Sequence, residues 1–141
     1  MVLDYFHSFP HISRKNKYWI DKHRHYELKH FCLQYPEWKK AYNAKPVIPS
    51  SVEWHNDPTA KEAMRKILYL ERIQLIERVA KETDNDLHNY ILKAVTEGLS
   101  YTYLKSMMDI PCGKDLYYDR YRRFFWLLDE SREYYNRRDN K

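Results

Sequence analysis

Residues 110–130 read IPCGKDLYYDRYRRFFWLLDE, with a proline and a glycine at the front and then an unbroken run rich in tyrosine, arginine, phenylalanine and leucine. Six aromatic or aliphatic side chains in this run recur at helical spacing: Tyr117, Tyr121, Phe124, Phe125, Leu127 and Leu128. Intervals of three and four residues place side chains on one face of a helix. We therefore predict a helix over about 114–135 that buries this aromatic face in a core.

The rest of the chain predicts an all-α protein. Glycine occurs only twice in 141 residues, which disfavours glycine-rich phosphate loops and turn-rich β architectures. Helices are predicted over about 17–34 and over 59–82, and the broad apolar stripe of the second needs a partner helix, in this chain or in a second copy. We divide the chain into an N-terminal helical extension with its connector, 1–56, and a helical domain, 57–141; prolines and serines cluster at 43–58, where the two meet.

Three predicted helices with short connectors follow the long central helix, over about 86–97, 100–108 and 114–135. A short helix, a turn and a longer helix form the pattern of a helix-turn-helix, which we place at about 86–135. In this motif the first helix of the pair crosses the DNA backbone, and the second lies in the major groove and contacts bases from its N-terminal half.

Candidate DNA contacts follow from the sides of these helices. Base contacts are predicted from the first three turns of the last helix, away from its aromatic face: Lys114, Asp115, Tyr118, Asp119 and Arg122. Arg122 can pair bidentately with guanine. Asp119 can either accept a hydrogen bond from the cytosine amine or only orient Arg122 or Arg123. Phosphate contacts are predicted on the bracing helix and on the flanks of the last helix: Tyr101, Thr102, Lys105, Arg120 and Arg123. Phosphate contacts position a protein, whereas base contacts give it sequence specificity.

The bulk properties fit this interpretation without requiring it. The formal net charge is +5 and the sequence pI about 9.1, a mild basicity that suits either local phosphate contacts or an ordinary solvated surface. The two cysteines, Cys32 and Cys112, belong to no spaced cluster, which argues against a disulfide framework. The start of the chain has no apolar signal region, and no stretch approaches the roughly 20 apolar residues of a membrane span, so we expect a cytoplasmic protein.

Catalytic and metal chemistry find little support in the pattern. His23 and His25 are two residues apart on one predicted helix and point to different sides, so they do not form a ligand pair. Cys112 beside Gly113 is the one candidate nucleophile, because a helix N-terminus lowers a thiol pKa, but a small residue in a turn is the commoner role. We predict no enzyme activity, no metal and no cofactor.

Two segments also resemble a known family. The last helix carries the pattern Tyr-Tyr-x-Arg-x-Arg-Arg-Phe-x-x-Leu-Leu at 117–128, and the central helix opens with Asp-Pro-Thr at 57–59 and carries Ala63 and an Ile-x-x-Ile-Glu stretch at 73–77. These motifs resemble the small late-gene transcriptional regulators of phages and prophages in Gram-positive bacteria, the ArpU/RinA type. The resemblance covers roughly residues 57–130 and implies a helix-turn-helix similar to the sigma-factor region that binds the −35 element.

The expected function is sequence-specific binding of double-stranded DNA by a phage or prophage transcription regulator in the bacterial cytoplasm. Helix 59–82 is expected to support a homodimer, since operator half-sites commonly mirror a protein two-fold. The main alternative is a phage-encoded interaction module that binds a host protein complex, with host RNA polymerase among the candidate partners. Near-paired tyrosines at 101/103, 117/118 and 134/135 favour it, since Tyr and Arg are enriched at protein interfaces.

Overall fold

The computed structural model describes residues 13–44 and 58–139, with side chains from 59 to 132 in the second range. These residues form the helices α1 Lys22–Leu33, α2 Tyr35–Asn43, α3 Pro58–Thr83, α4 His88–Glu97, α5 Tyr101–Met108 and α6 Lys114–Asp139. The described residues contain no strand, which confirms the predicted all-α class. Within these ranges, no helix combines the length and the apolar character that crossing a bilayer requires. Most of the predicted connector, 45–57, lies outside the described residues, as does the extension before Ser13.

The first helix begins later than predicted. Asp21 is its N-cap, and the side chain of Asp21 accepts a hydrogen bond from the backbone N–H of His23 at 2.9 Å. Asp at this position satisfies a backbone donor that the helix itself leaves unpaired, so it defines the start of α1 at Lys22. The predicted start at 17 is therefore wrong, and residues 13–20 form turns and irregular backbone instead.

Local signals elsewhere give helix ends close to the predicted ones. Gly98 adopts the left-handed conformation, with φ 69°, at the end of α4. The hydroxyl oxygen of Ser100 accepts a hydrogen bond from Tyr103 N–H at 3.1 Å, which makes Ser100 the N-cap of α5. Pro36 stands in the first turn of α2, where its missing N–H is harmless, and α1 has already ended before it. The last helix continues beyond the predicted end, to Asp139.

The core is built around the aromatic face of α6. Tyr117, Tyr121, Phe124, Phe125 and Leu128 are buried, as predicted, and Leu127 is partly buried against them. Side chains from the preceding helices complete the same cluster, among them Leu28, Phe31, Ile76, Val79, Ile91, Val95 and Leu104. The helices α1, α3 and α4 all pack on α6, and α2 packs on α3.

The apolar stripe of α3 is covered along only half of its length. The stripe is buried from Ile73 to Ala80. Beside it, the guanidinium of Arg72 lies over the ring of Trp38 on α2, and Glu77 accepts a hydrogen bond from the hydroxyl of Tyr35 on α2. In the N-terminal half, the exposed fractions are 71% for Met64, 59% for Ile67 and 42% for Leu68. The sequence predicted that the stripe needs a partner helix, in this chain or in a second copy. The structure provides partners from this chain, α2, α4 and α6, and buries only the C-terminal half.

His25 of α1 is almost fully buried, with 1% of its surface exposed. Its ring packs edge-on against Phe125 at 4.7 Å and lies 6.4 Å from the ring of Tyr121. Burial, together with the nearby charge of Lys29, lowers the pKa of His25 from 6.5 to about 3. The imidazole is therefore neutral in the folded protein at physiological pH.

We predict that His25 makes the fold sensitive to acid. Because the pKa is lower in the folded state, the unfolded chain binds a proton between about pH 6.5 and 3 while the folded chain does not, so stability falls as the pH falls through that window. The loss attributable to His25 should be about 2 kcal/mol at pH 5. Urea unfolding of His25→Leu between pH 7 and pH 4 should show a shallower decline than the unsubstituted protein. His23→Gln, on the exposed side of the same helix, should leave the decline unchanged, and an equal decline in His25→Leu would contradict the prediction.

Candidate nucleic-acid interface

The turn between α5 and α6 is held by the helix that precedes it. Ile110 is buried and its N–H donates to the carbonyl of Leu104 at 3.2 Å. The hydroxyl of Tyr101 donates to the carbonyl of Cys112 at 2.9 Å, and Nζ of Lys105 donates to the carbonyl of Ile110 at 3.2 Å. These bonds fix where α6 begins relative to α5.

The first turns of α6 extend into solvent from this fixed turn. Lys114 and Asp115 are exposed, Tyr118 and Asp119 are half-buried, and Arg122 is half-buried one turn further along. The structure thus brings all five predicted base-contacting residues onto one described helix, in its first three turns. Leu116 joins them as an exposed apolar side chain that the sequence analysis did not single out.

Tyr118 has an ordered position within this group. Its ring centroid lies 5.2 Å from that of Tyr117, in an edge-on arrangement, and Nζ of Lys114 lies 6.0 Å from the Tyr118 ring. Since Tyr117 is buried, this contact links the exposed start of α6 to the core. The ring of Tyr101 on α5 also packs on Tyr117, at 5.4 Å.

The five predicted phosphate contacts have different surroundings. Thr102 is exposed, whereas Tyr101 and Lys105 also hold the turn through the bonds described above. Nε of Arg120 pairs with Asp84 at 2.9 Å, and its Nη1 pairs with Asp119 at 3.0 Å. Arg120 therefore ties α6 to the turn between α3 and α4, and its phosphate contact stays a prediction without geometric support.

Asp84 is the partner that gives Arg120 this role. One of its carboxylate oxygens accepts from the N–H groups of Asp86 and Leu87, both at 2.9 Å, and the other accepts from Arg120. Burial alone would raise the pKa of Asp84, but these hydrogen bonds and the arginine charge outweigh it and hold the pKa below its ordinary value. Asp84 is thus ionised and shared between a helix start and α6.

An unpredicted segment lies against the solvent side of α6. The ring of Tyr18 packs on Trp126 at 5.8 Å, and Nη1 of Arg123 donates to the Tyr18 hydroxyl at 3.4 Å. Trp126 is two residues from both Phe124 and Leu128, so it lies on a different side of the helix from them, and it is partly buried. The segment before α1 therefore crosses the outer face of α6, beyond the exposed first turns. The hydrogen bond from Arg123, opposed by burial and assisted by Lys17, lowers the pKa of Tyr18.

Arg122 and Arg123 differ from Arg120 in lacking a carboxylate. Among the described residues, neither forms an ion pair, and Nε of each is buried without a hydrogen-bond acceptor. Both side chains are half-buried, so an anion at the surface of α6 can reach the accessible part of each guanidinium but not its buried Nε. The sequence could not separate these two arginines from Arg120, because the partner of Arg120 is 36 residues away.

Metal and thiol chemistry gain no support in the described part of the chain. No group of three potential ligands among His, Cys, Asp and Glu is close enough to hold a metal ion there. Burial raises the pKa of Cys112, with Lys105 opposing this and Asp84 adding to it. A raised pKa disfavours the thiolate, so the candidate role of Cys112 as a nucleophile gains no support, and the role of a small turn residue stays the favoured one.

Comparison with protein-family models, with curated proteins and with solved structures finds no match to this chain.

We predict that Asp84 supports the position of α6. Asp84→Ala removes the acceptor for two N–H groups and the partner of Arg120, and it should lower the free energy of unfolding by about 1–2 kcal/mol. Asp84→Asn retains an acceptor for the N–H groups and should lose less. Asp86→Ala, an exposed acid two residues along, is the matched control and should change the free energy by less than about 0.5 kcal/mol in urea unfolding. Equal losses for Asp84→Ala and Asp86→Ala would contradict this role.

Proposed function

We propose that this protein is a sequence-specific, double-stranded-DNA-binding transcription regulator that contacts bases through the first turns of α6. The observation that carries the proposal is the exposed start of α6, which projects Lys114, Asp115 and Tyr118 from a turn held by α5. A helix start that is both exposed and rigidly held is what major-groove contacts need, because base readout depends on the register of the helix.

The charge distribution around α6 supports the same proposal. Arg120 is neutralised by two carboxylates, whereas Arg122 and Arg123 lack an ion pair among the described residues. Lys114 adds an exposed cation at the N-terminus of the helix, where backbone N–H groups also favour anions. The outer side of α6 therefore carries positive charge at its N-terminus and again near Arg122 and Arg123, and the phosphates of DNA supply the complementary negative charge.

The resemblance to ArpU/RinA-type regulators adds the biological setting of the proposal. It suggests a phage or prophage origin, action in the bacterial cytoplasm, and host RNA polymerase as a protein partner. The pattern at 117–128 that carries the resemblance provides the buried aromatic face of α6 as well as Arg120, Arg122 and Arg123. The same residues therefore carry both the fold and the proposed surface.

We expect the protein to select a defined duplex from a random-sequence pool. Binding of the selected and a scrambled duplex, followed by fluorescence anisotropy, gives the specificity ratio. Lys114→Ala and Arg122→Ala should each weaken the selected duplex by about 1–3 kcal/mol and reduce that ratio, since a bidentate base contact has about this value.

The control is Lys40→Ala, which removes the same charge from the exposed side of α2. It should leave the specificity ratio unchanged and alter affinity only slightly. If the unsubstituted protein enriches no sequence and shows no salt-dependent duplex binding, the DNA proposal fails. If Lys114→Ala and Arg122→Ala bind as the unsubstituted protein does, α6 is not the recognition helix.

The exposed half of α3 supports a second surface, used for protein contact. Ile67 and Leu68 follow Met64 by three and four residues, so the three side chains share one helix face and form an apolar strip with Ala60 and Ala63 beside them. A strip of this kind is typical of a helix that pairs with another helix. We propose that it pairs with the same helix of a second copy, which would give the two-fold arrangement that a palindromic operator requires.

We expect sedimentation velocity to show a dimer that Ile67→Glu converts to a monomer. In the proposed dimer Ile67 is buried against the second copy. Glutamate at this position removes roughly 1.5–3 kcal/mol of apolar burial from each copy and adds a desolvation cost. Gln74→Glu places the same charge at an exposed position further along α3 and should remain dimeric. A monomeric unsubstituted protein would exclude the homodimer.

The interaction-module alternative predicts a different set of results. The unsubstituted protein would then be monomeric, bind no duplex, and recover one host protein at fixed stoichiometry from a lysate, with or without nuclease treatment. Ile67→Glu would abolish that recovery, whereas Arg122→Ala would not. The exposed strip on α3 is the observation that favours this alternative.

A further inference from the structure

We propose that the basic turn formed by residues 13–17 is a second DNA contact, which binds phosphates at the edge of the groove that α6 enters. This inference rests on the proposed function, and it assigns a role to a segment that the candidate recognition helix does not include. The occupant is the sugar–phosphate backbone of the same duplex.

The basic turn has a defined conformation. The N–H of Asn16 donates to the carbonyl of Ser13 at 2.8 Å, and the N–H of Lys15 donates to the hydroxyl of Ser13 at 3.2 Å. The side-chain oxygen of Asn16 in turn accepts from Tyr18 N–H at 2.9 Å. Ser and Asn in these places stabilise a turn through local side-chain hydrogen bonds. The cations are therefore presented by an ordered segment, which lowers the entropic cost of ordering it on DNA.

The charge of the basic turn is one-sided. Arg14, Lys15 and Lys17 are exposed, and residues 13–20 include no Asp or Glu. Within the described ranges, none of the three forms an ion pair; Arg14 lies 5.7 Å from the ring of Trp19 and Lys17 lies 4.9 Å from that of Tyr18. Aromatic rings orient these cations and leave their charge in place. Three uncompensated charges on one short turn suit a polyanion.

Contacts with α6 place the basic turn next to the arginines of that helix. Tyr18, directly after the turn, receives a hydrogen bond from Arg123 and packs on Trp126. Burial of Tyr18 anchors the turn to this level of α6. The basic turn and Arg123 thus form one cationic area on the outer side of the helix.

The distance along α6 determines which part of DNA this area meets. Arg123 is nine residues after Lys114, or roughly 13 Å along the axis at 1.5 Å per residue. The major groove is about 12 Å wide. When the first turns of α6 contact bases, the cationic area therefore reaches the phosphates that border the groove. The basic turn should consequently add affinity without adding sequence preference.

The test is duplex binding by the full chain as a function of salt, with the selected and the scrambled duplex as probes. The triple variant Arg14→Ala, Lys15→Ala, Lys17→Ala should weaken both duplexes by the same factor, on the order of a hundredfold at 0.1 M salt. The slope of log K against log salt should fall in magnitude by about 3, and the specificity ratio should not change.

Two controls separate local contact from net charge and from misfolding. Lys40→Ala, Lys81→Ala, Lys93→Ala removes three exposed charges elsewhere and should lose much less affinity and salt dependence. The variant Arg14→Lys, Lys15→Arg, Lys17→Arg keeps the charges and should bind as the unsubstituted protein does. Circular dichroism of the alanine variant shows whether a loss of binding is caused by unfolding.

The possible results have distinct meanings. If the unsubstituted protein binds no duplex, the proposed function and this inference both fail. If it binds and the alanine variant loses no more affinity than Lys40→Ala, Lys81→Ala, Lys93→Ala, only the DNA-binding role of the basic turn is wrong. If the folded alanine variant loses base preference rather than overall affinity, the phosphate assignment is overturned. Capture of an acidic host protein that depends on the basic turn, without duplex binding, would overturn it in favour of a protein partner.

Discussion

Burial of the aromatic face of α6 is the constraint on which the rest of the structure depends. Tyr117, Phe124 and Phe125 are almost fully buried, and α1, α3 and α4 pack around the helix that carries them. Because α1, α3 and α4 cover the aromatic face of α6, only the opposite face and the exposed side of the first turns can contact a ligand. The exposed side of the first turns of α6 is thus a consequence of the packing, since α5 contacts Tyr117 and the turn before the helix but leaves Lys114 and Asp115 exposed.

Polar contacts decide which charged residues of α6 remain available. Arg120, Arg122 and Arg123 are within four residues, yet Asp84 and Asp119 neutralise the first, and the Tyr18 hydroxyl orients the third. An arginine paired with two carboxylates gains little from a phosphate, because the existing pairs must be broken first. This difference assigns Arg120 to the fold and Arg122 and Arg123 to the candidate surface, although the three side chains are chemically identical.

Local sequence signals predicted the helices well where the deciding atoms were also local. Ser100 and Gly98 define helix ends through their own hydrogen bonds and backbone conformation, and the aromatic spacing predicted the buried face of α6. The periodicity of α3 could not show that Met64 and Ile67 stay exposed, because their burial depends on which helices reach that half. The place of Tyr18 on α6 was also beyond prediction, since Arg123 is 105 residues away in sequence and the preceding segment has no period.

The position of the segment before α1 limits how α6 can meet a duplex. Tyr18 lies across Trp126 on the outer side of the helix, so the fourth turn cannot enter a groove while the first two turns remain free to do so. A helix that enters by its start alone brings few side chains to bases, and much of its affinity must then come from the backbone at the groove edge. The same contact that shortens the exposed part of α6 also holds Arg14, Lys15 and Lys17 beside that helix, where the proposed complex would place them at the groove edge. In the proposed DNA complex, the loss of groove contacts and the gain of phosphate contacts would both follow from the packing of Tyr18 on Trp126.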